Sequence, residues 1–128
     1  MKQILFSILL LGILSGCSKD SSTTGTNPED APLQVVVSEL TDKTAVSITV
    51  TNQNNVKILD IVNQFGNTTY NTEVVHSKDK LKVHYKCNIQ SNSAGDGVGT
   101  ITFLYKGENR GAAGVSGTIE RDITVTIP

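Results

Sequence analysis

The feature that most constrains the fold of this chain is a two-residue alternation of apolar and polar side chains. Between residues 81 and 90, the sequence LKVHYKCNIQ places apolar, aromatic or cysteine residues at odd positions and polar residues at even positions. The same alternation marks residues 46–51, 100–105 and 118–127, with Leu104 and Arg121 as exceptions. Because successive side chains of a β-strand point to opposite faces, this period predicts strands that are buried on one face.

About seven candidate strands lie between residues 33 and 128, separated by short turn signals and without a helical period. This pattern predicts an all-β domain, an antiparallel β-sandwich. Its strand count resembles that of an immunoglobulin-like domain. The sequence lacks the cysteine pair and core tryptophan of that family, so the resemblance concerns architecture alone. A transthyretin-like sandwich and a small barrel are the alternatives. Residues 107–117 are glycine-rich and are predicted to form a loop.

Residues 1–16 have the organisation of a secretory signal peptide. Lys2 provides a positive start, and residues 4–14 are apolar apart from Ser7 and Gly12. As a helix this stretch spans roughly 17 Å at about 1.5 Å per residue, about half of the ~30 Å hydrocarbon core of a bilayer. We therefore expect a cleaved leader and not a permanent membrane span.

The sequence Leu14-Ser15-Gly16-Cys17 resembles the lipobox of bacterial lipoproteins, in which a large apolar residue and two small residues precede a cysteine. The resemblance implies that Cys17 carries a diacylglyceryl group on its sulfur and becomes the N-terminus after cleavage. It also implies a membrane anchor, because each buried methylene contributes about 0.8 kcal/mol and two or more acyl chains bind stably.

Residues 17–32 are predicted to be the lipidated cysteine with a flexible tether, and residues 33–128 to be the folded domain. The segment SKDSSTTGTNPEDAP after Cys17 has too few apolar residues to offset the entropy of ordering. Ser18 at the position after the cysteine implies outer-membrane retention under the sorting rule of enteric lipoproteins. Ser18-Lys19-Asp20 resembles in part the surface-export signal of Bacteroidetes-type lipoproteins. We expect an anchored domain at the periplasmic face of the outer membrane or at the cell surface.

The sequence contains no group of residues that indicates catalysis, a metal ion or a cofactor. Its acidic residues are scattered over predicted turns and outward strand positions. Cys87 falls on the apolar side of its strand, so we expect it to pack in the core. His76 and His84 lack the further ligands that a zinc site needs. A net charge of −1 gives no basis for nucleic-acid binding. We therefore expect a protein that is not an enzyme.

Two groups of polar residues are candidates for contact with a partner. If strand 81–90 pairs with strand 98–106, and that strand with 118–127, their outward side chains form one surface with Thr100, Thr102 and Leu104 in the middle. The residues that would flank this middle strip are Lys82, His84, Lys86, Glu120 and Asp122. The second group lies in the predicted glycine-rich loop and consists of Glu108, Asn109 and Arg110, because long loops on rigid sandwiches often bind partners. The alternatives are a solvated sheet face whose charges prevent association for the first group and a flexible connection without function for the second.

These observations predict an outer-membrane lipoprotein whose β-sandwich is a binding or adhesion module. The alternative is an accessory periplasmic lipoprotein that docks on a larger envelope complex. A protein partner is favoured over a glycan because aromatic residues, on which sugar rings stack, are scarce, at 5% of the chain. Tyr70 is the one aromatic residue that we expect to be exposed.

Overall fold

The computed structural model describes residues 29–89 and 98–128, which form an eight-stranded antiparallel β-sandwich. The strands are β1 (Ala31–Ser38), β2 (Thr44–Thr51), β3 (Lys57–Phe65), β4 (Thr68–Val75), β5 (Lys80–Ile89), β6 (Val98–Tyr105), β7 (Glu108–Ser116) and β8 (Ile119–Thr126). The predicted fold class is therefore confirmed. The predicted signal peptide, Cys17 and most of the predicted tether lie outside the described residues.

The two sheets contain four strands each. Sheet A has the order β4-β1-β6-β7, and sheet B has the order β3-β2-β5-β8. Only β2–β3 and β6–β7 are pairs of consecutive strands within one sheet, and every other connection passes between the sheets. In an immunoglobulin constant domain the first two strands are neighbours in one sheet. Here β1 and β2 lie in different sheets, so the resemblance to that family stays at the level of architecture.

The core lies between the sheets and consists of the inward side chains of both. Ile48 and Leu81 from sheet B and Val35, Ile101 and Phe103 from sheet A are each 0% exposed. The alternation that identified β5 is reproduced in its burial, because its odd-numbered residues are buried from Leu81 to Cys87 while the even-numbered residues between them are exposed. The two-residue period therefore sorts the chain into a packed face and a solvent face.

The prediction of a glycine-rich loop over residues 107–117 is wrong, because most of this segment forms β7. Lys106 and Gly107 connect β6 to β7 with φ angles of 52° and 79°. Two consecutive positive φ angles are the signature of a type I′ hairpin turn, which matches the twist of the strands that it joins. The strand is held by burial of Ala113 and Val115. This additional strand raises the count from about seven to eight.

The sandwich has two distinct ends. We call the end that contains Glu29 the entry end, and it also holds the β2–β3, β4–β5 and β6–β7 connections. β1 begins at Ala31, two residues before the predicted start of the domain at residue 33. The hydroxyl of Tyr105 donates a hydrogen bond to the carbonyl of Glu29, which fixes the chain as it enters the fold. Within the described ranges, no helix has the length and apolar character needed to cross a membrane.

Candidate functional site

The outward face of sheet B gathers the first group of candidate residues. β8 pairs directly with β5, so that Lys86 lies opposite Glu120 and His84 lies opposite Asp122. Lys82 lies opposite Thr124 in the same register. We call the five residues Lys82, His84, Lys86, Glu120 and Asp122 the charged face.

The strand arrangement predicted for this surface is wrong. β5 and β6 do not pair, because β6 lies in sheet A between β1 and β7. Thr100, Thr102 and Leu104 therefore face outward from the other sheet and do not separate the basic residues from the acidic ones. Direct pairing of β5 with β8 places the opposite charges of the charged face in contact, which the predicted arrangement did not.

His84 is the centre of the contacts within the charged face. Its Nδ1 atom lies 2.8 Å from Oδ1 of Asp122, and its Nε2 atom lies 3.2 Å from Oε1 of Glu120. Lys86 reaches the other oxygen of Glu120 with its Nζ atom at 3.7 Å. Asp122 keeps 83% of its side chain exposed. Exposed ion pairs contribute about 0–1 kcal/mol to folding, so these contacts add little to the stability of the sandwich.

The neighbouring strand β2 lines the charged face with hydroxyl groups. Thr51, Thr49 and Ser47 lie opposite Lys82, His84 and Lys86, respectively. Further out on β3, the Asp60 carboxylate accepts a hydrogen bond from Thr49 Oγ1 at 2.8 Å and pairs with Lys57 Nζ at 2.9 Å. Hydrogen bonds from Lys57 and Thr49 hold the pKa of Asp60 below its usual value. Polar side chains thus extend across all four strands of sheet B, beside the exposed Val62 on β3.

Charge pairing on this surface is uneven along its length. Among residues 29–89 and 98–128, neither Lys80 nor Lys82 has an ion-pair partner, and both are exposed. Their neighbours on β8 are Thr126 and Thr124, which carry hydroxyl groups and no charge. A shallow depression of about 400 Å³ lies beside Lys82, lined also by Asp122, Ile123 and Thr124. The unpaired positive charges therefore lie toward the entry end.

Glu108, Asn109 and Arg110, the second group of candidates, lie apart from the charged face at the start of β7 in sheet A. The Arg110 guanidinium pairs with the Glu108 carboxylate, and Asn109 Oδ1 accepts a hydrogen bond of 2.8 Å from the Gly111 amide. Arg110 and Glu108 border an open cleft of about 270 Å³ at the entry end. Glu108 and Arg110 thus pair with each other and Asn109 with the hairpin backbone, whereas Arg110 Nε is buried without a hydrogen-bond partner among the described residues.

Cys87 and His76, the other residues considered for a functional role, contact the core and the chain entry, respectively. Cys87 is 0% exposed in the core, and burial raises the pKa of its thiol. His76 lies at the entry end, where its Nδ1 atom is 2.9 Å from Oδ2 of Asp30. No three histidine, cysteine or acidic side chains in the described part of the chain are placed to hold a metal ion.

Tyr70 does not have the exposure that its sequence context predicted. It lies opposite Val35 on β1, is half-buried and packs against the core, and its hydroxyl oxygen is buried. Contact with the core leaves less of this ring available for stacking with a sugar. The structure also adds three features that the sequence had not singled out: Lys80 and the hydroxyl groups of Thr49 and Thr51. The alternation in the sequence indicates that these side chains face outward. It does not indicate the strand order that brings them together.

Comparison with known proteins identifies no relative of this chain. No protein-family model, curated protein or solved structure matches it. The geometry of the charged face is therefore the main indication of its function.

Proposed function

We propose that this protein is a lipid-anchored, non-catalytic binding module of the bacterial outer membrane, and that its charged face binds a protein partner. The observation that carries the proposal is the pairing of β5 with β8, which sets Lys82, His84, Lys86, Glu120 and Asp122 side by side on an open sheet face. The sequence Leu14-Ser15-Gly16-Cys17, which resembles a lipobox, supports the anchor.

The character of the charged face favours recognition over a structural role. Its ion pairs are exposed, so they contribute little to folding. Complementary charges across an interface contribute strongly to specificity and to the rate of association. A face with both signs discriminates between partners, because a misplaced partner brings like charges together. None of its five side chains is aromatic, which favours a protein partner over a glycan.

The position of the face relative to the chain entry fits an anchored module. Glu29 lies at the entry end, where β5 begins and β8 ends, and the outward face of these two strands forms a side of the sandwich. If the part of the predicted tether (residues 17–32) that precedes Glu29 is a flexible coil, its twelve residues span about 17–21 Å root-mean-square, by the rule of about 5–6 Å × √n. The charged face would then stand clear of the headgroups and remain accessible from the side.

Site-specific photo-crosslinking in intact cells tests the binding role. A photoreactive amino acid is placed at Thr124, an exposed position opposite Lys82. The matched control is Ala112, which is exposed on the outer face of sheet A, opposite Thr102 on β6. We expect a discrete protein adduct from Thr124 and none from Ala112. Equal adducts from both positions, or none from Thr124, would refute the binding role of the charged face.

The anchor is tested separately. Metabolic labelling with an alkyne fatty acid should label the wild-type protein and leave the Cys17→Ala variant unlabelled. Protease treatment of intact cells then places the domain, with a periplasmic protein as the control for leakage. Degradation indicates display on the cell surface, whereas protection until the outer membrane is opened indicates the periplasm. Absence of lipid label from the wild-type protein would refute the anchor.

A further inference from the structure

The basic residues of β5 form a straight row on the outer face of sheet B. Lys80, Lys82, His84 and Lys86 occupy alternate positions of one central strand, and all four are exposed. Alternate residues of a strand are about 6.6 Å apart, because each residue advances the strand by about 3.3 Å. The row is therefore about 20 Å long from Lys80 to Lys86, with one basic group at each step.

The two halves of this row differ in whether carboxylates lie beside them. His84 and Lys86 lie next to Asp122 and Glu120, at 2.8 Å and 3.7 Å, respectively. Lys80 and Lys82 have only hydroxyl-bearing neighbours on β8, and in the two described segments no carboxylate pairs with either of them. Their positive charge is available to a ligand without displacing an existing ion pair.

We propose that Lys80 and Lys82 receive the carboxylates of an extended acidic segment of a protein partner, which lies along β5. This inference rests on the proposed function and specifies where the acidic groups of the partner lie, at Lys82 of the charged face and at Lys80 beside it. An extended peptide also repeats its side chains on one face every two residues. Acidic residues at alternate positions of such a segment match the spacing of Lys80 and Lys82 and reach both at once.

The acidic side chains further along the face determine which end of the partner segment carries the acidic residues. Glu120 and Asp122 flank the row beside Lys86 and His84, so a uniformly anionic polymer would meet repulsion over that half. A protein segment can be acidic at one end and neutral or basic at the other, which a uniform polyanion cannot. The acidic end of the segment lies toward the entry end of the sandwich, next to Lys80.

Direct binding of synthetic peptides to the purified full chain tests this inference. The probe is a fluorescent eight-residue peptide with glutamates at positions 1 and 3 and threonine elsewhere, which we call the alternating peptide. The matched probe has the same composition with its two glutamates adjacent, at positions 1 and 2, so that they point to opposite faces of an extended chain. We expect the alternating peptide to bind more tightly and to lose at least about tenfold in affinity in the Lys80→Gln/Lys82→Gln variant. The control variant Lys43→Gln/Lys106→Gln removes the same charge from two exposed turns and should bind as the wild type does.

Three results would overturn the inference. The first is equal loss of affinity in both double variants, which indicates general attraction to positive charge. The second is equal binding of the two peptides, which shows that the spacing of the glutamates does not affect binding. The third is tighter binding of a polyuronate than of the alternating peptide, which assigns the site to an anionic glycan. If the photo-adduct from Thr124 persists undiminished in Lys80→Gln/Lys82→Gln, this inference fails while the proposed function stands.

Discussion

Substitution of two glycines on neighbouring strands should change stability in opposite directions. Gly99 on β6 is buried, and a Cβ added there would overlap Cδ2 of Leu40 and lie 3.0 Å from its Cγ and 3.2 Å from the Ser38 carbonyl oxygen. Gly114 on β7 is exposed, and an added Cβ would have no atom within 4 Å. The two sites therefore compare a crowded glycine with an open one.

The expected magnitudes follow from two opposing effects. Replacing glycine by alanine stabilises a compatible site by about 0.4–1 kcal/mol, because it restricts the unfolded chain. Overpacking a buried site costs about 1–3 kcal/mol. Gly114→Ala should therefore stabilise the fold by about 0.5 kcal/mol. Gly99→Ala should destabilise it by about 1–2 kcal/mol, because the Leu40 side chain must rotate and the carbonyl of Ser38 resists a further shift.

Urea unfolding followed by far-ultraviolet circular dichroism measures both changes. A double-mutant cycle with Leu40→Ala isolates the contact, since removing the Leu40 side chain opens the space that the methyl group added by Gly99→Ala needs. We expect the double variant to be more stable than the sum of the single changes predicts, by about 1–3 kcal/mol. Gly99→Ala with wild-type stability, or additive effects of the two substitutions, would refute the close packing of Leu40 on Gly99.

Three further predictions concern single side chains. Burial raises the pKa of the Cys87 thiol, so a thiol reagent at pH 8 should label the Cys17→Ser chain only at its rate of global opening, measured by mass spectrometry. The pKa of Asp60 is lowered from 3.8, so the contribution of its carboxylate to stability is present above that pH and is lost as the pH falls through the pKa of the folded state. Thermal melts at decreasing pH should therefore show a weaker acid dependence for Asp60→Asn than for the wild type. Thr72 Oγ1 accepts a buried hydrogen bond of 3.0 Å from the Leu33 amide. Thr72→Val leaves this amide without a partner and should lower the free energy of unfolding in urea by about 1–3 kcal/mol, whereas Thr72→Ser keeps the acceptor and should lower it much less.

The sequence predicted local strand structure well because burial imposes a period of two on each strand. β5 is the clearest case, since Val83, Tyr85 and Cys87 are buried and the residues between them are exposed. β7 was missed because glycine and alanine are depleted in strands, and its sequence ENRGAAGVS reads as a loop. Its turn signal was also hidden, since Lys106 takes a positive φ angle that a turn more often assigns to asparagine or glycine.

Strand order was beyond the reach of the sequence, and the geometry of the charged face depends on it. The alternation states which side chains point outward but not which strand lies beside which. Both β6 and β8 have the pattern of a partner for β5, and the nearer strand in sequence is the wrong one. Pairing between β5 and β8 joins residues such as His84 and Asp122, which are far apart in the chain, so no local signal specifies it.

The core, and not the ion pairs, holds the charged face in its register. Val125 and Ile127 are each 1% exposed at the end of β8 and just beyond it. A slip of one residue would turn the buried positions of β8 outward and its acidic positions inward. Exposing two such side chains costs about 1.5–3 kcal/mol each, and burying carboxylates costs more, whereas each exposed ion pair contributes about 0–1 kcal/mol. Neutralising Glu120 or Asp122 should therefore alter binding while leaving the pairing of β5 and β8 intact, which allows the charges of the face to be varied independently of the fold.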